Sequence, residues 1–285
     1  MRNTVRFVLA FPIQLATICQ VSFVSSILLL VFVCSVMAGG QATGTHENLR
    51  TKRDEEALSL LQSTVQALSA SDGRTISDYR LEGLVTRWDG QETSGTFSQI
   101  GVGAADRRTA VSIGGNPVFS LLVLNDAGII QFENNNEPRN VPNEVAMEAS
   151  YYFFVNLLQE AISNQHVDVV SIPSPNNSPD IGHIRITRHM AIWVPAMGSL
   201  GEARFDIYID RDSKTVTKIV NSARLESNLS QTIPHTISFS DYRREQGWSL
   251  PHEIDETYAG APHNHFTLEA CSLNKGLTVS DLKSK

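Results

Sequence analysis

Two histidines one residue apart, in the stretch His263-Asn264-His265, are the best candidate metal ligands in this chain of 285 residues. Alternate residues of a β-strand point to the same face, so the pair could chelate a transition metal, with His252 and Glu256 nearby in sequence. A structural zinc site would want further ligands at recognisable spacing, and none is evident. We therefore interpret these histidines as solvated residues near turns, and we predict no metal site and no cofactor.

Nucleophilic catalysis has no local signature in the sequence. Neither Gly-x-Ser-x-Gly nor His-Glu-x-x-His is present, although Ser, His and Asp can form a triad in space without such a motif. Cys271 is the only cysteine after residue 34, and we interpret it as a small buried or strand residue. We predict no catalytic residues and a protein that is not an enzyme. A metal-dependent hydrolase centred on His252, His263 and His265 is a less favoured alternative.

The N-terminal segment indicates export. No Asp, Glu, Lys or Arg lies between Arg6 and Glu47, and the run from Val21 to Ala38 is almost wholly apolar. A basic start, an apolar middle and a small-residue end are typical of a secretory signal, to which we assign residues 1–42. A retained membrane anchor is the alternative, because about 18 apolar residues can also span a bilayer. Both readings export the rest of the chain, to the periplasm or to the envelope through an uncleaved segment.

The rest of the chain divides into a short tether and one predicted domain. Residues 43–53 are polar and lack apolar periodicity, which suits a tether, and no linker marks a second domain within 54–285. The formal net charge of the chain is −7 and its Lys and Arg residues are scattered. Nucleic acid is therefore not an expected partner.

Two helices and many antiparallel strands are predicted within that domain. Apolar residues recur at helical spacing from Asp54 onward, behind an acidic start. From Ile76 the period falls to two, with turn signals such as Asp89-Gly90. A second helix, Asn143–Gln165, carries two adjoining apolar stripes, so we expect it to pack between layers or to close the mouth of a curved sheet. The expected fold class is α+β, a strongly curved antiparallel β-sheet (half-barrel) with helices packed on the concave side.

The stretch FSDYRREQGWSLPHEI, Phe239–Ile254, combines charges with aromatic residues but is best explained as a hairpin. Phe239 alternates into the core, and the chain reverses at Arg244-Glu245-Gln246-Gly247, where glycine supplies the freedom that a tight turn needs. The charged residues then lie at the solvent-exposed tip of the hairpin. Trp248 is predicted to cap the rim of an apolar cavity.

Several segments together resemble exported bacterial proteins related to the outer-membrane lipoprotein carriers, a superfamily that includes LolA, LolB, RseB-like and LppX-like domains. The resemblance rests on the early helix and four stretches: YRLEGLVTRWDGQETSGTF, FDIYIDRDSKTVTKI, ISFSDYRREQGWSLPHEIDETYAG and ACSLNKGLTVSDLK. It implies a half-barrel covered by helices, which binds a lipid, an acylated molecule such as a lipoprotein, or another hydrophobic ligand in a cavity. The alternative is an envelope protein-interaction or regulatory module with the same fold and no lipid cargo.

Inward-facing apolar residues form the predicted lining of that cavity: Phe153, Leu157, Met190, Ile192, Phe205, Ile207, Phe239, Trp248 and Phe266. Arg188 is added because it shares its strand parity with Ile184 and Ile186, and a charge on an apolar face needs a partner or water. The carriers have an interior Arg that is tied to a lid. Arg188 either corresponds to it or is a rim residue that pairs with an acid after a strand irregularity.

Overall fold

The structure is a computed structural model that describes residues 51–69, 75–125, 127–133, 137–141, 146, 148, 150–174, 178–193, 200–225 and 228–283. The predicted signal or anchor segment, residues 1–42, lies outside the described residues, and so do residues 43–50 of the predicted tether. None of the helices in the described ranges combines the length and the apolar character that a membrane crossing needs.

The helices are α1 (Glu55–Leu68), α2 (Val155–Ser163) and α3 (Val279–Lys283), with a 3₁₀ turn at Tyr151–Phe153. Helix α1 begins where the acidic start predicts, because the Asp54 side chain accepts a hydrogen bond from the backbone N–H of Glu56 at 2.9 Å. Within the second predicted helix, Ala146 and Glu148 are helical, and the 3₁₀ turn and α2 follow them. Its α-helical part ends at Ser163.

Thirteen strands follow the first helix and make up most of the described chain. The first six are β1 (Asp78–Trp88), β2 (Glu92–Val102), β3 (Asp106–Ile113), β4 (Asn116–Leu124), β5 (Ala127–Glu133) and β6 (Arg139–Val141). The other seven are β7 (Val167–Ser171), β8 (Ile181–Trp193), β9 (Leu200–Asp210), β10 (Val216–Leu225), β11 (Asn228–Glu245), β12 (Trp248–Tyr258) and β13 (Ala261–Leu273).

One open antiparallel sheet contains all of these strands, in the order β6-β5-β4-β3-β2-β1-β13-β12-β11-β10-β9-β8-β7. Two meanders, β1 to β6 and β7 to β13, join where β1 pairs with β13. The two edge strands, β6 and β7, are consecutive in the chain. The segment with the 3₁₀ turn and α2 therefore connects one edge of the sheet to the other, while each remaining connection joins neighbouring strands.

The strands alternate between a buried and a more exposed face, as the period of two predicts. In β9, Phe205, Ile207 and Ile209 are buried, whereas the residues between them are partly exposed. Most buried side chains of the strands form one cluster with those of α1 and α2. We call the face of the sheet that carries this cluster the inner face. A second, smaller cluster contains Leu121, Val123, Val141 and Ala146.

Two contacts fix the helices. A Cβ atom at Gly182 of β8 would come within 2.3 Å of Leu60 Cδ2, so the absence of a side chain lets α1 approach this strand.

Arg53, the last residue of the predicted tether, donates from Nη1 to the carbonyls of Asn164 and Val167 at 2.7 and 2.8 Å. Its Nη2 donates to the carbonyls of Ala161 and Ile162 at 2.9 and 3.0 Å. The bonds to Ala161, Ile162 and Asn164 satisfy carbonyl groups at the end of α2 that have no partner within the helix, and the bond to Val167 joins this end to β7.

Candidate functional site

The predicted lining residues whose side chains are described lie deep in the protein. They belong to one apolar cluster and are at most 6% exposed: Phe153, Leu157, Phe205, Ile207, Phe239, Trp248 and Phe266. Met190 and Ile192 lie in β8, but their side chains are outside the described part of the structure. Trp248 begins β12 directly after the Gln246-Gly247 turn and is 3% exposed, so it is a core residue in this structure.

Four consecutive aromatic residues, Tyr151 to Phe154, cover the inner face of the sheet. Consecutive residues of a helical turn point in different directions, so the four rings reach different strands. Each contacts one ring, with centroid distances of 4.0 Å for Phe153–Tyr79, 4.8 Å for Tyr152–Phe266, 5.2 Å for Tyr151–Phe205 and 4.7 Å for Phe154–Phe239. The partners belong to β1, β13, β9 and β11. The segment before α2 therefore holds much of the sheet together.

An ion pair connects α2 to β8. Arg188 Nη2 lies 2.9 Å from Glu160 Oε1, and the two side chains are only 12% and 16% exposed. The register of β8 against β9 is regular through Arg188 and shifts only between Met190 and Trp193. Arg188 therefore points to the inner face, as Ile184 and Ile186 do, and the acid that compensates its charge is Glu160 of α2. The predicted strand irregularity exists but follows Arg188 instead of preceding it.

A slot opens where strands β9 and β10 separate. Their pairing begins at Ile209 with Val216 and ends at Phe205 with Asn221, although both strands continue beyond that pair. A cavity of about 530 Å³ lies there. Residues from both faces of the sheet line it, including Arg204 and Asp206 from the outer face, Ala203 and Phe205 from the inner face, and Tyr151. The slot therefore passes through the sheet to the buried apolar cluster.

A buried polar network interrupts the apolar inner face beside this slot. His235 donates from Nε2 to Glu256 Oε1 at 2.8 Å, and its Nδ1 lies 2.7 Å from Asn221 Oδ1. Tyr152 donates to the same carboxylate oxygen at 2.9 Å, and Asn264 donates to Oε2. Burial alone would raise the pKa of Glu256, but the hydrogen bonds from His235 and Asn264 and the charges of His235 and His263 together outweigh it, so that pKa is lowered.

A second carboxyl, that of Glu148, borders the network. Tyr258 donates to Glu148 Oε2 at 3.2 Å, and its ring stacks on His235 at 4.4 Å. Glu148 Oε1 is buried without a hydrogen-bond partner among the described residues. Burial raises the pKa of Glu148 to about 7, His235 opposes this, and the neighbouring Glu256 adds to it. The network therefore contains one carboxyl that is ionised and one that titrates near neutral pH.

The histidines first considered as metal ligands do not share one environment. They lie within β12 and β13, and His252 is buried, with Nδ1 2.8 Å from the carbonyl of Leu268. The prediction that they are solvated is therefore wrong for His252. His265 contacts Asp255 and Glu253 on the outer face, whereas His252 shares the parity of the buried Ile254. No group of three potential ligands for a metal ion occurs among the described residues.

Cys271 lies in β13 and is partly buried. Burial raises the pKa of its thiol to about 12. Because the thiolate is the nucleophilic form, this environment opposes reactivity.

Comparison with solved structures finds the same fold in known proteins. No protein-family model matches the chain, and no curated protein matches it. A LolA superfamily protein from Nitrosomonas europaea aligns over 80% of this chain and 97% of its own, with 9% identity and a TM-score of 0.50. The chain has a LolA-like fold. A domain described as an outer membrane lipoprotein-sorting protein from Vibrio parahaemolyticus aligns over 80% of this chain and 96% of its own, with 8% identity and the same TM-score.

Within this LolA-like fold, the polar network is the feature that sequence reasoning missed. A signal was present, because His235 shares its parity with the apolar Ile237 and Phe239, and Glu256 shares its parity with Ile254. A polar residue at an inward position predicts a buried partner. The same pattern, a charged residue among inward-facing apolar residues, marks Arg188 in β8.

Proposed function

We propose that this protein binds an acyl chain or another hydrophobic ligand between the inner face of its sheet and its helices. The observation that carries the proposal is the cover formed by Tyr151 to Phe154. The inner face of the open sheet packs against α1 and against the segment that connects the two edge strands, and that segment could separate from the sheet without breaking a strand pair. Displacing that segment would expose a concave apolar surface of the kind that binds small hydrophobic molecules.

The finer description of the fold belongs to this proposal. We place the helices on the concave side of a strongly curved half-barrel, and we assign the ligand contacts to Phe153, Leu157, Met190, Ile192, Phe205, Ile207, Phe239, Trp248, Phe266 and Arg188. In this arrangement the ion pair between Arg188 and Glu160 holds α2 against the sheet until a ligand enters. No catalytic residue or cofactor is required.

We further propose that the domain, residues 54–285, acts outside the cytoplasm. The basic and then apolar segment 1–42 supports export, either as a cleaved signal or as an anchor that keeps the protein on the envelope. The similarity to a lipoprotein-sorting domain supports a lipoprotein or its acyl chain as the cargo class.

One observation favours the second candidate, an envelope interaction or regulatory module without lipid cargo. The described inner face is covered by packed side chains, and the predicted apolar lining residues whose side chains are described are almost fully buried. A protein that never opens would look the same, and its partner would bind to the outside.

Native mass spectrometry of the protein purified from its host envelope tests these alternatives. We expect mass increments from bound acyl compounds, and rebinding of lysophosphatidylcholine after their removal. Ala161→Phe fills the buried side of α2 and should weaken rebinding by about tenfold, equivalent to roughly 1.4 kcal/mol, whereas Ser163→Phe on the exposed side should not. A stoichiometric protein partner, with no acyl compound and no rebinding, would replace the proposal with the interaction module.

A further inference from the structure

The slot between β9 and β10 is closed at its inner end by side chains of the protein core, and we call this end the floor of the slot. Ala203, Phe205 and Tyr151 line the cavity, and each is at most 5% exposed. Tyr151 and Phe205 also contact each other with their rings 5.2 Å apart. A molecule in the slot therefore touches the same cluster that the cover segment closes from the helix side.

The mouth of the slot is charged but balanced. Arg185 donates to both carboxylate oxygens of Asp206 at 2.7 and 2.8 Å, and Arg204 lies 3.3 Å from Glu202. All four side chains line the cavity. Two positive and two negative charges that already face each other give this mouth no net charge, so it offers little attraction to a ligand that is itself strongly charged.

Charged residues outside and an apolar floor inside match the two ends of an amphiphile. The cavity volume of about 530 Å³ falls within the range of roughly 300 to 1,000 Å³ that is usual for small-molecule sites. Each buried CH₂ group contributes about 0.8 kcal/mol, so an extended chain gains most when it passes beyond the mouth to the floor.

We propose that the slot is a lateral portal through which the acyl chain of a single-chain amphiphile, with a zwitterionic or uncharged head, reaches the interior. The inference rests on the proposed function and adds its route and its class of ligand. The head contacts the paired charges of the mouth only in transit, while the chain passes Phe205 and Tyr151 into the interior. A portal lowers the barrier in both directions, so it controls association and dissociation rates together and leaves the affinity unchanged.

Crosslinking the two sides of the slot tests this portal. Arg204→Cys and Ser222→Cys lie just beyond the last strand pair, one on each side, and are introduced into the full chain with Cys19, Cys34 and Cys271 replaced by Ser. A cleavable bis-maleimide then closes the slot. The matched control joins Tyr208→Cys to Lys218→Cys, which are direct partners on the same two strands where no slot exists. The probe is fluorescent lysophosphatidylcholine, followed by stopped-flow mixing.

We expect the crosslink across the slot to slow association and dissociation of the probe by at least about tenfold while Kd stays within about twofold. Cleaving the linker should restore both rates, and the control crosslink should change neither. Unchanged rates in the closed slot would overturn the portal and leave the proposed function standing. If the uncrosslinked protein does not bind the probe, the proposed function and the portal both fail.

A second variant covers the case in which the crosslinked protein does not fold. Ser222→Trp narrows the slot, and Ser238→Trp places the same side chain on the outer face beside Lys218, away from it. Slower exchange in the first variant alone supports the portal. Equal exchange in both variants contradicts it.

Discussion

His235 Nε2 lies 2.8 Å from Glu256 Oε1, and the two side chains are 0% and 2% exposed. Both ring nitrogens of His235 lie within hydrogen-bond distance of a side-chain oxygen, Nε2 with that of Glu256 and Nδ1 with that of Asn221. A buried carboxylate persists when its hydrogen-bond acceptors are satisfied, and here Tyr152 and Asn264 complete the partners of Glu256. The pair ties β11 and β12 to the segment that covers the inner face.

Removing the charge of Glu256 should therefore destabilise the protein strongly. We expect Glu256→Gln to lower the free energy of unfolding by about 3 to 5 kcal/mol, because a neutral amide cannot accept all the hydrogen bonds that His235, Tyr152 and Asn264 make to the buried carboxylate. Urea unfolding followed by circular dichroism measures the loss. Glu253→Gln, on the exposed face of the same strand and paired with His265, is the control and should change stability by at most about 1 kcal/mol. Equal effects of the two substitutions would contradict a special role of the buried pair.

Glu148 should make stability fall as the pH rises towards neutrality. Its pKa is about 7 in the folded state against an ordinary 4.5, so between these values the folded protein retains a proton that the unfolded chain has released. Stability is thus lost from about pH 4.5 to about pH 7 and then levels off.

The variant Glu148→Gln keeps the shape of this side chain but cannot titrate. Above pH 7 it should be more stable than the wild type by about 3 kcal/mol, and it should lack this slope. Thermal unfolding from pH 4 to pH 8 checks the difference. His263, whose pKa burial lowers, contributes a slope of opposite sign below its ordinary pKa, and that slope cancels in the comparison because both proteins contain it. Parallel curves for the two proteins would refute the shift at Glu148.

The ion pair between Arg188 and Glu160 should show measurable coupling. A double-mutant cycle with Arg188→Met and Glu160→Gln should give a coupling free energy of about 1 to 2 kcal/mol, since both side chains are largely shielded from water. The exposed pair Arg80 and Glu82 is the reference, with an expected coupling below about 0.5 kcal/mol. If the two cycles agree, the ion pair does not hold α2.

The Arg53 side chain should be needed to keep the end of α2 in place. Arg53→Lys keeps the charge but cannot donate to four carbonyls at once, so we expect a loss of about 1 to 3 kcal/mol and faster amide exchange over residues 161–167. Lys52→Ala should stay within about 0.5 kcal/mol, because that side chain is on the surface. Unchanged exchange in Arg53→Lys would show that the helix end is held by other contacts.

The local pattern of the chain was sufficient to predict most elements. Asp54 and the acids after it mark the start of α1, and Asp89-Gly90 lies between β1 and β2 as predicted. The hairpin of β11 and β12 reverses at Gln246-Gly247, where both residues have positive φ. These features depend on neighbours within a few positions, and backbone sterics act at that range.

The candidate site was predictable only in part. The apolar parity of β9 placed Phe205 and Ile207 on the inner face, and the charge of Arg188 required a partner, but the sequence could not name Glu160. Parity also marked His235 and Glu256, yet their shared network includes Tyr152, which is 104 positions from Glu256 in the chain. Such pairs arise when a connecting segment packs on the sheet. Local periodicity cannot predict them, because it depends only on residues that are close in the chain.

By itself, the sequence determined where strands alternate and turn, which face of each strand is apolar, and that the chain should form an antiparallel sheet with helices. The tertiary structure alone decided that β6 and β7 lie at opposite edges of one sheet, that β9 and β10 separate beyond Phe205 and Asn221, and that Glu148 and Glu256 border one buried polar network. The physical reason is the distance along the chain over which each interaction acts. Backbone conformation is set by neighbouring residues, whereas a slot and a buried charge network exist only once distant strands have taken a common register.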